Sequence, residues 1–146
     1  MNCKNHDDAV ALVLSLLDDE IKGDVGAALS KLTANYTMTW MYRSQRTGVL
    51  FPKAGRYLPE FERDTQDIYR VKGRHYDIRN IATGQGLVMI ELVESYPALD
   101  TGLIFRTPLV LVIEIIDNKV ARGRHYCDPL LSHSALSKEE VDSAFT

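Results

Sequence analysis

The sequence contains few of the residues that mark disulfide-stapled or metal-binding proteins. Its two cysteines, Cys3 and Cys127, give neither a disulfide framework nor a metal-binding spacing. None of the four histidines stands in a His-x-His or His-x-Glu arrangement, so no metal site is predicted. Gly84-Gln85-Gly86 joins two predicted strands and opens no helix, which argues against a phosphate-binding glycine loop. We therefore expect no metal and no cofactor.

Long apolar stretches and runs of one charge are also missing. Ser15 and Asp18 interrupt the apolar segment near the N-terminus, so it is predicted to be neither a secretory signal nor a membrane-spanning helix. The net charge is −3 and the arginines are scattered among acidic residues, which gives no basic surface for nucleic acid or an anionic membrane. We expect a single cytoplasmic domain over residues 1–146, with residues 132–146 as a polar C-terminal tail, and neither nucleic acid nor membrane as a partner.

Helical periodicity predicts three helices in the N-terminal half. The first starts near Ala9 and ends at Gly23, and Asp24 caps a second, short helix. A third has Pro59 in its first turn and ends at Gly73. The apolar stripe of the first helix is predicted to consist of Val10, Val13, Leu14, Leu17 and Ile21.

Strand patterns fill the rest of the chain. A first strand over 36–42 is followed by a loop over 43–55, and four antiparallel strands are predicted over 74–83, 87–96, 103–116 and 119–131. Asp117-Asn118 is the predicted turn into the last of these, and Asp128-Pro129 is predicted to end its strand. This order predicts an α+β fold with the helices on one face of a curved, mostly antiparallel sheet. Leu109–Ile116 is apolar on both faces apart from Glu114, so the outer face needs a cover of its own. We expect a homodimer through that outer face.

The first strand alternates so that Met38, Trp40 and Tyr42 share one face. This stripe fits the lining of a pocket for a flat apolar ligand, with the Tyr42 hydroxyl as a polar contact, and it fits a plain core stripe equally well. Phe61 of the third helix is placed to complete either arrangement.

The last strand places Ala121, Gly123, His125 and Cys127 on one face, and its arginines on the other. An imidazole is suited to moving a proton near pH 7, and its small neighbours leave space beside it, so His125 is a candidate general base or acid. The alternative is a structural histidine bonded to a backbone carbonyl or a neighbouring tyrosine.

Glu94 is the second candidate, because it alternates with the apolar residues Val88, Ile90 and Leu92. A carboxyl group on that face would point into a pocket, where burial raises its pKa and favours proton transfer. The alternative is a solvated strand end beside Arg106 or Arg124.

Three features together resemble the nuclear-transport-factor-2-like superfamily, which includes ketosteroid isomerase, limonene epoxide hydrolase and the SnoaL-like polyketide cyclases. They are the order of elements, Gly55-Arg56 before the third helix, and the closing GRHYCDPLL, and the resemblance spans about residues 8–131. It implies a cone-shaped domain with an apolar pocket between helices and sheet, often in a homodimer.

The resemblance transfers to individual residues only in part. The epoxide hydrolases have an aspartate at the position of His125, and their inner-strand arginine and aspartate fall at Leu92 and Glu94. The missing arginine argues against epoxide hydrolysis. The resemblance implies a cofactor-free isomerase, cyclase or dehydratase acting on a small hydrophobic carbonyl compound, with His125 and Glu94 as the acid–base pair and Leu92 beside them in the pocket. The alternative is a non-catalytic ligand-binding or assembly module.

Overall fold

A computed structural model describes residues 6–45, 47–56, 73–98, 101–131 and 134–146. Within these ranges lie three helices: α1 (His6–Lys22), α2 (Val25–Ser30) and α3 (Lys138–Ser143). The first two are the helices predicted from periodicity. The predicted third helix, with Phe61, lies outside the described residues, and α3 comes from the segment predicted as a polar tail.

The strands form one sheet with the order β2-β1-β6-β5-β4-β3. Among the strand pairs of the described residues, β1–β6 is parallel and the other four are antiparallel. The sheet with its helices is the predicted α+β cone. Its strands are β1 (Leu32–Trp40), β2 (Lys53–Gly55), β3 (His75–Gly84), β4 (Leu87–Pro97), β5 (Ile104–Ile116) and β6 (Lys119–Cys127).

Helix α1 differs from its prediction in start and in orientation. It begins at His6, so Asp7 and Asp8 lie in its first turn, where the helix dipole favours negative charge. Its buried side chains are Ala9, Val13, Leu16 and Leu17. Leu14 and Ile21, which were predicted for the inner stripe, are both more than one-third exposed. The inner stripe therefore follows Ala9, Val13 and Leu16, and one turn later it reaches Glu20.

The prediction of a loop over 43–55 is wrong in its last three residues, which form β2. This strand pairs with β1 through Thr37–Gly55, Met38–Ala54 and Thr39–Lys53. A segment of three residues directly after a proline is too short to show alternation, so no sequence pattern marks it. Strand β1 itself begins at Leu32 and ends at Trp40, two residues before the predicted end.

The hairpin between β5 and β6 has the geometry that its sequence predicts. Asp117 and Asn118 have φ values of 53° and 60°. A two-residue type I′ hairpin turn requires such a positive φ at both central positions. Strand β6 ends at Cys127, and the Asp128 carboxylate then accepts a hydrogen bond from the Leu130 amide at 2.9 Å. Asp128 therefore terminates the strand, as expected from its position before Pro129.

The C-terminal segment packs on the outer face of the sheet. Ser137 caps α3 in a capping box with Glu140, and Val141 is 3% exposed. Arg79 of β3 donates to Asp142, and Arg106 of β5 donates to the Leu136 carbonyl at 2.9 Å. Part of the outer cover thus comes from this chain's own C-terminus. The homodimer stays a prediction.

The opposite, inner face carries the hydrophobic core. Its six largest fully buried side chains are Val13, Leu32, Val88, Ile90, Leu92 and Val120. Helix α1 packs on this face against β3, β4 and β6. None of the described helices is both long enough and apolar enough to span a bilayer.

Candidate functional site

Residue pairing across the sheet shows which candidate side chains share the inner face. Trp40 pairs with His125, His125 with Leu111, and Leu111 with Ile90. Glu94 pairs with Tyr76 on one side and Thr107 on the other, in the same alternation as Leu92 and Ile90. Both candidate acid–base residues therefore lie on the inner face, toward the end where β1 and β6 finish and β3 begins.

The space predicted beside His125 is partly filled. A β-carbon placed on Gly123 would lie 2.6 Å from Met38 Cε and 2.9 Å from Met38 Sδ. Met38 thus packs directly onto the glycine and contacts the core, as a core stripe would. The Trp40 ring lies beside the His125 ring, with ring centroids 6.0 Å apart and planes tilted by 36°.

His125 is half-buried, and its Nδ1 atom is shielded from solvent without a hydrogen-bond partner among the described residues. Burial lowers its pKa from 6.5 to about 4, and backbone hydrogen bonding opposes this only in part. The ring is therefore neutral at pH 7. This differs from the near-neutral pKa on which the sequence argument for a general base depended.

Glu94 lies in a different environment at the start of β3 and the end of β4. Burial raises its pKa above 4.5, and the charge of Arg74 and hydrogen bonds from Tyr96 and Tyr76 offset this only in part. The carboxyl group therefore has the elevated pKa that the sequence argument anticipated, and tyrosine hydroxyls lie beside it.

Five residues form what we call the Glu94 cluster: Glu20, Arg74, Tyr76, Glu94 and Tyr96. Arg74 is 8% exposed, and its Nη1 atom lies 2.9 Å from the Tyr76 hydroxyl and 3.4 Å from Glu20 Oε2. The Tyr76 hydroxyl donates to Glu20 at 2.9 Å. The guanidinium carbon lies 5.9 Å and 5.5 Å from the Tyr76 and Tyr96 ring centroids. A buried cation is thus held between two carboxylates and two aromatic rings.

The charges in the cluster are coupled. Burial alone lowers the pKa of Arg74, but the surrounding acidic groups raise it, so the guanidinium stays protonated. Burial and the charge of Glu20 raise the pKa of Tyr76, which keeps its hydroxyl protonated and able to donate. Arg74 Nε is buried without a hydrogen-bond partner among the described residues. That unmet donor, like His125 Nδ1, makes this end of the inner face suited to a polar ligand atom.

The structure does not bring His125 and Glu94 into direct contact. Strand β5 lies between them, and through Leu111 His125 aligns with Ile90, four residues before Glu94. In a flat sheet, a displacement of two strands across the sheet and four residues along a strand places the Cα atoms of His125 and Glu94 about 17 Å apart. An acid–base pair made of these two residues would therefore act on the same ligand from two sides rather than through a mutual hydrogen bond.

The other predicted pocket residues take different positions. Leu92 is fully buried in the core beside Leu109. Tyr42 falls beyond the end of β1, where its carbonyl accepts from the Phe51 amide at 2.9 Å. Cys127 faces inward, but burial, together with the charge of Glu94, raises its thiol pKa to about 12, which disfavours a thiolate.

The outward arginines of β6 have the structural role that parity suggests. Arg122 and Arg124 both contact the Glu114 carboxylate, at 3.1 Å and 2.8 Å. Among the described residues, no group of three or more histidine, cysteine or acidic side chains converges as metal ligands would.

Sequence reasoning missed the other four members of the Glu94 cluster as site residues: Glu20, Arg74, Tyr76 and Tyr96. Glu20 lies four residues after Leu16 and seven after Val13, so it extends the buried stripe of α1 with a charged group. Tyr76 has the same parity as Ile78, which packs against the core. Two signals were available in the sequence: the Glu20 carboxylate on the apolar stripe of α1, and the arginine directly before β3.

Comparison with known proteins gives matches in structure but not in sequence. No family model matches the chain, and no curated protein matches it. Among solved structures, TerC, which was co-crystallised with polyporic acid, is similar with a TM-score of 0.73 at 15% identity over 88% of this chain and 97% of TerC. IdmH of Streptomyces antibioticus, a candidate polyketide cyclase, has a TM-score of 0.68 at 12% identity over 84% of this chain and 94% of its own.

A third similar structure is explicitly named for its fold. It is a nuclear-transport-factor-2-like protein of Burkholderia xenovorans, with a TM-score of 0.67 at 16% identity over 90% of this chain and 97% of its own. At such identities the similarity establishes architecture and leaves activity open. The chain has the nuclear-transport-factor-2-like fold, as the resemblance of its sequence to that superfamily implies.

Proposed function

We propose that this protein is a cofactor-free enzyme that binds a small hydrophobic carbonyl compound at the inner face and moves a proton on it. Isomerisation, cyclisation and dehydration all begin with proton removal beside a carbonyl. The observation that supports this most is the half-buried, inward-facing Glu94 with its raised pKa and its tyrosine partners. Candidate polyketide cyclases among the similar structures agree with such chemistry.

Glu94 is assigned the proton transfer. A carboxyl group whose pKa is raised toward the working pH is a stronger base once ionised and a ready acid once protonated. Tyr76 and Tyr96 would hold it in one orientation, and Arg74 would limit how far its pKa rises. The cluster thus combines a proton carrier with neighbours that position it.

We assign to His125 a contact with the other end of the same ligand. With a pKa of about 4 it is a weak base at pH 7, but a neutral imidazole can donate a hydrogen bond to a carbonyl oxygen and polarise it. Trp40 beside it provides an aromatic surface for a flat substrate. A ligand long enough to span from Trp40 to Glu94 would meet both groups.

Exchange of hydrogen for deuterium beside a carbonyl tests this proposal without knowledge of the full reaction. A library of small ketones is incubated with the protein in D2O, and NMR follows deuterium entering the carbon next to the carbonyl. Glu94→Gln is expected to slow exchange of an accepted compound by about 100-fold or more. Glu91→Gln is the matched control, because Glu91 lies on the outer face of the same strand and bonds Asn80 at 2.7 Å.

The second candidate function is a non-catalytic ligand-binding or assembly module. The low pKa of His125 and the core position of Leu92, where related hydrolases have an arginine, favour it. Saturable binding of a library compound with no exchange above the rate without protein would support this candidate and contradict the enzyme. Exchange that Glu94→Gln leaves unchanged would contradict the assignment of proton transfer to Glu94.

A further inference from the structure

A cleft lies on the opposite side of the sheet from the inner-face site. It has a volume of about 420 Å³ and lies between α3 and the outer face of β3, β4 and β5. Val141 of α3 and Val93 of β4 form its apolar part, and both are at least 96% buried. Its remaining lining residues are polar or charged: His75, Asp77, Arg79, Ser95, Arg106, Lys138 and Asp142.

Two carboxylates and two of the three permanent cations of this cleft neutralise each other. Arg79 donates to Asp77 at 2.9 Å and to Asp142 at 2.5 Å. Lys138 donates to Asp142 at 2.7 Å. The Phe145 ring also covers the Arg79 guanidinium at 4.6 Å, which fixes its position further. These four charged groups form a closed network along one wall.

Arg106 is the cation without a counter-ion. Its Nη1 atom donates to the Leu136 carbonyl at 2.9 Å, and it has no carboxylate partner among the described residues. The Leu136 carbonyl is a neutral acceptor, so it does not compensate the guanidinium charge. Most of the five N–H donors of Arg106 also stay available. The exposed imidazole of His75 and the Ser95 side chain line the same cleft, and these residues are neighbours because His75 pairs with Ser95 and Ser95 with Arg106. Three strands thus present a cation, a hydroxyl and an imidazole in one row.

We propose that this row is a binding site for a small oxyanion, a carboxylate or a phosphate group of a small molecule, with Arg106 as its principal ligand. A guanidinium fork matches the paired oxygens of either group, and Ser95 and His75 supply further hydrogen bonds. The volume suits a metabolite-sized ligand rather than a macromolecule. Because Arg106 also holds the segment before α3, an occupied site would brace the C-terminal helix against the sheet.

The site is tested by NMR titration of the whole chain with sodium phosphate and, separately, with sodium acetate, each at constant ionic strength made up with sodium chloride. We expect saturable shifts at millimolar anion, confined to His75, Ser95, Arg106 and the α3 amides. Stronger binding of one anion identifies whether the natural ligand is a phosphate or a carboxylate. Absence of saturation with both, or shifts spread evenly over the surface, would overturn the proposal.

Three variants distinguish binding from general charge effects. Arg106→Gln is expected to weaken the tighter anion about tenfold or more, since a charge-assisted hydrogen bond is lost. Ser95→Ala leaves the Arg106–Leu136 contact in place and is expected to weaken binding several-fold, which keeps the test valid if Arg106→Gln loosens α3. Arg122→Gln removes an arginine of the same face that is already paired with Glu114, and it should leave binding unchanged. Equal losses in all three variants would contradict a specific site.

Discussion

Replacing Arg74 by methionine tests the electrostatics of the Glu94 cluster most severely. The methionine side chain keeps much of the arginine's apolar stem but removes the charge that lies 3.4 Å from Glu20 and lowers the pKa of Glu94. Two carboxyl groups then remain near one another without a cation. Because the arginine side chain is only 7% exposed, water cannot replace the lost interaction.

Removing one partner of a buried ion pair costs about 3–5 kcal/mol, because an uncompensated charge is left behind. The loss should depend on pH in a defined direction. Without Arg74 the pKa of Glu94 in the folded protein rises further above its unfolded value, so ionised Glu94 destabilises the fold at pH 7. Below the unfolded value of about 4.3 the group is protonated in both states, and this part of the loss disappears.

Urea unfolding of the wild type and Arg74→Met at pH 7 and near pH 4 measures both effects. Arg122→Met is the matched control, since Arg122 also pairs with a glutamate but its side chain is 58% exposed. An exposed pair is expected to contribute no more than about 1 kcal/mol. Equal losses for the two variants, or a loss for Arg74→Met that is the same at both pH values, would refute the description of a coupled buried cluster.

Three further predictions concern other parts of the fold. Gly123→Ala should destabilise the protein by no more than about 1 kcal/mol in the same unfolding assay, because the new methyl group would overlap only the end of the flexible Met38 side chain, which can move aside. His125 should titrate near pH 4 by NMR, and since its folded pKa lies below its unfolded one, stability should fall as pH drops from about 6.5 to 4 and His125→Leu should lessen that fall. Ser137→Ala removes the capping box and should speed hydrogen exchange at Val141 while leaving β5 unchanged.

Much of the fold follows from local sequence patterns. Alternation placed Glu94 and His125 on the inner face, and both lie there because strand parity depends only on chain geometry. The Asp117-Asn118 turn and the end of β6 at Asp128 were readable for the same reason, since turn chemistry is local. The parallel pairing of β1 with β6 brings together segments more than 80 residues apart, and no local pattern encodes it.

The two candidate acid–base residues were predictable from the sequence, but the residues that surround Glu94 were not. Which residues approach Glu94 depends on register between β3 and β4 and on how α1 lies across them, so Arg74 and Glu20 were missed. The pKa of His125 likewise depends on burial, which a strand pattern cannot measure. The outer cover by Val141 escaped notice because a six-residue helix in a polar segment has too few apolar positions to show periodicity.

The pKa of the Glu94 carboxyl group is the measurement that tests the proposed site most directly. A 13C-detected NMR titration of selectively labelled glutamate, assigned with Glu94→Gln, gives this value in the folded protein. We predict a midpoint above the ordinary 4.5 that changes again when an accepted carbonyl compound is bound. A midpoint at or below 4.5, unaffected by any compound that binds, would contradict the assignment of proton transfer to Glu94.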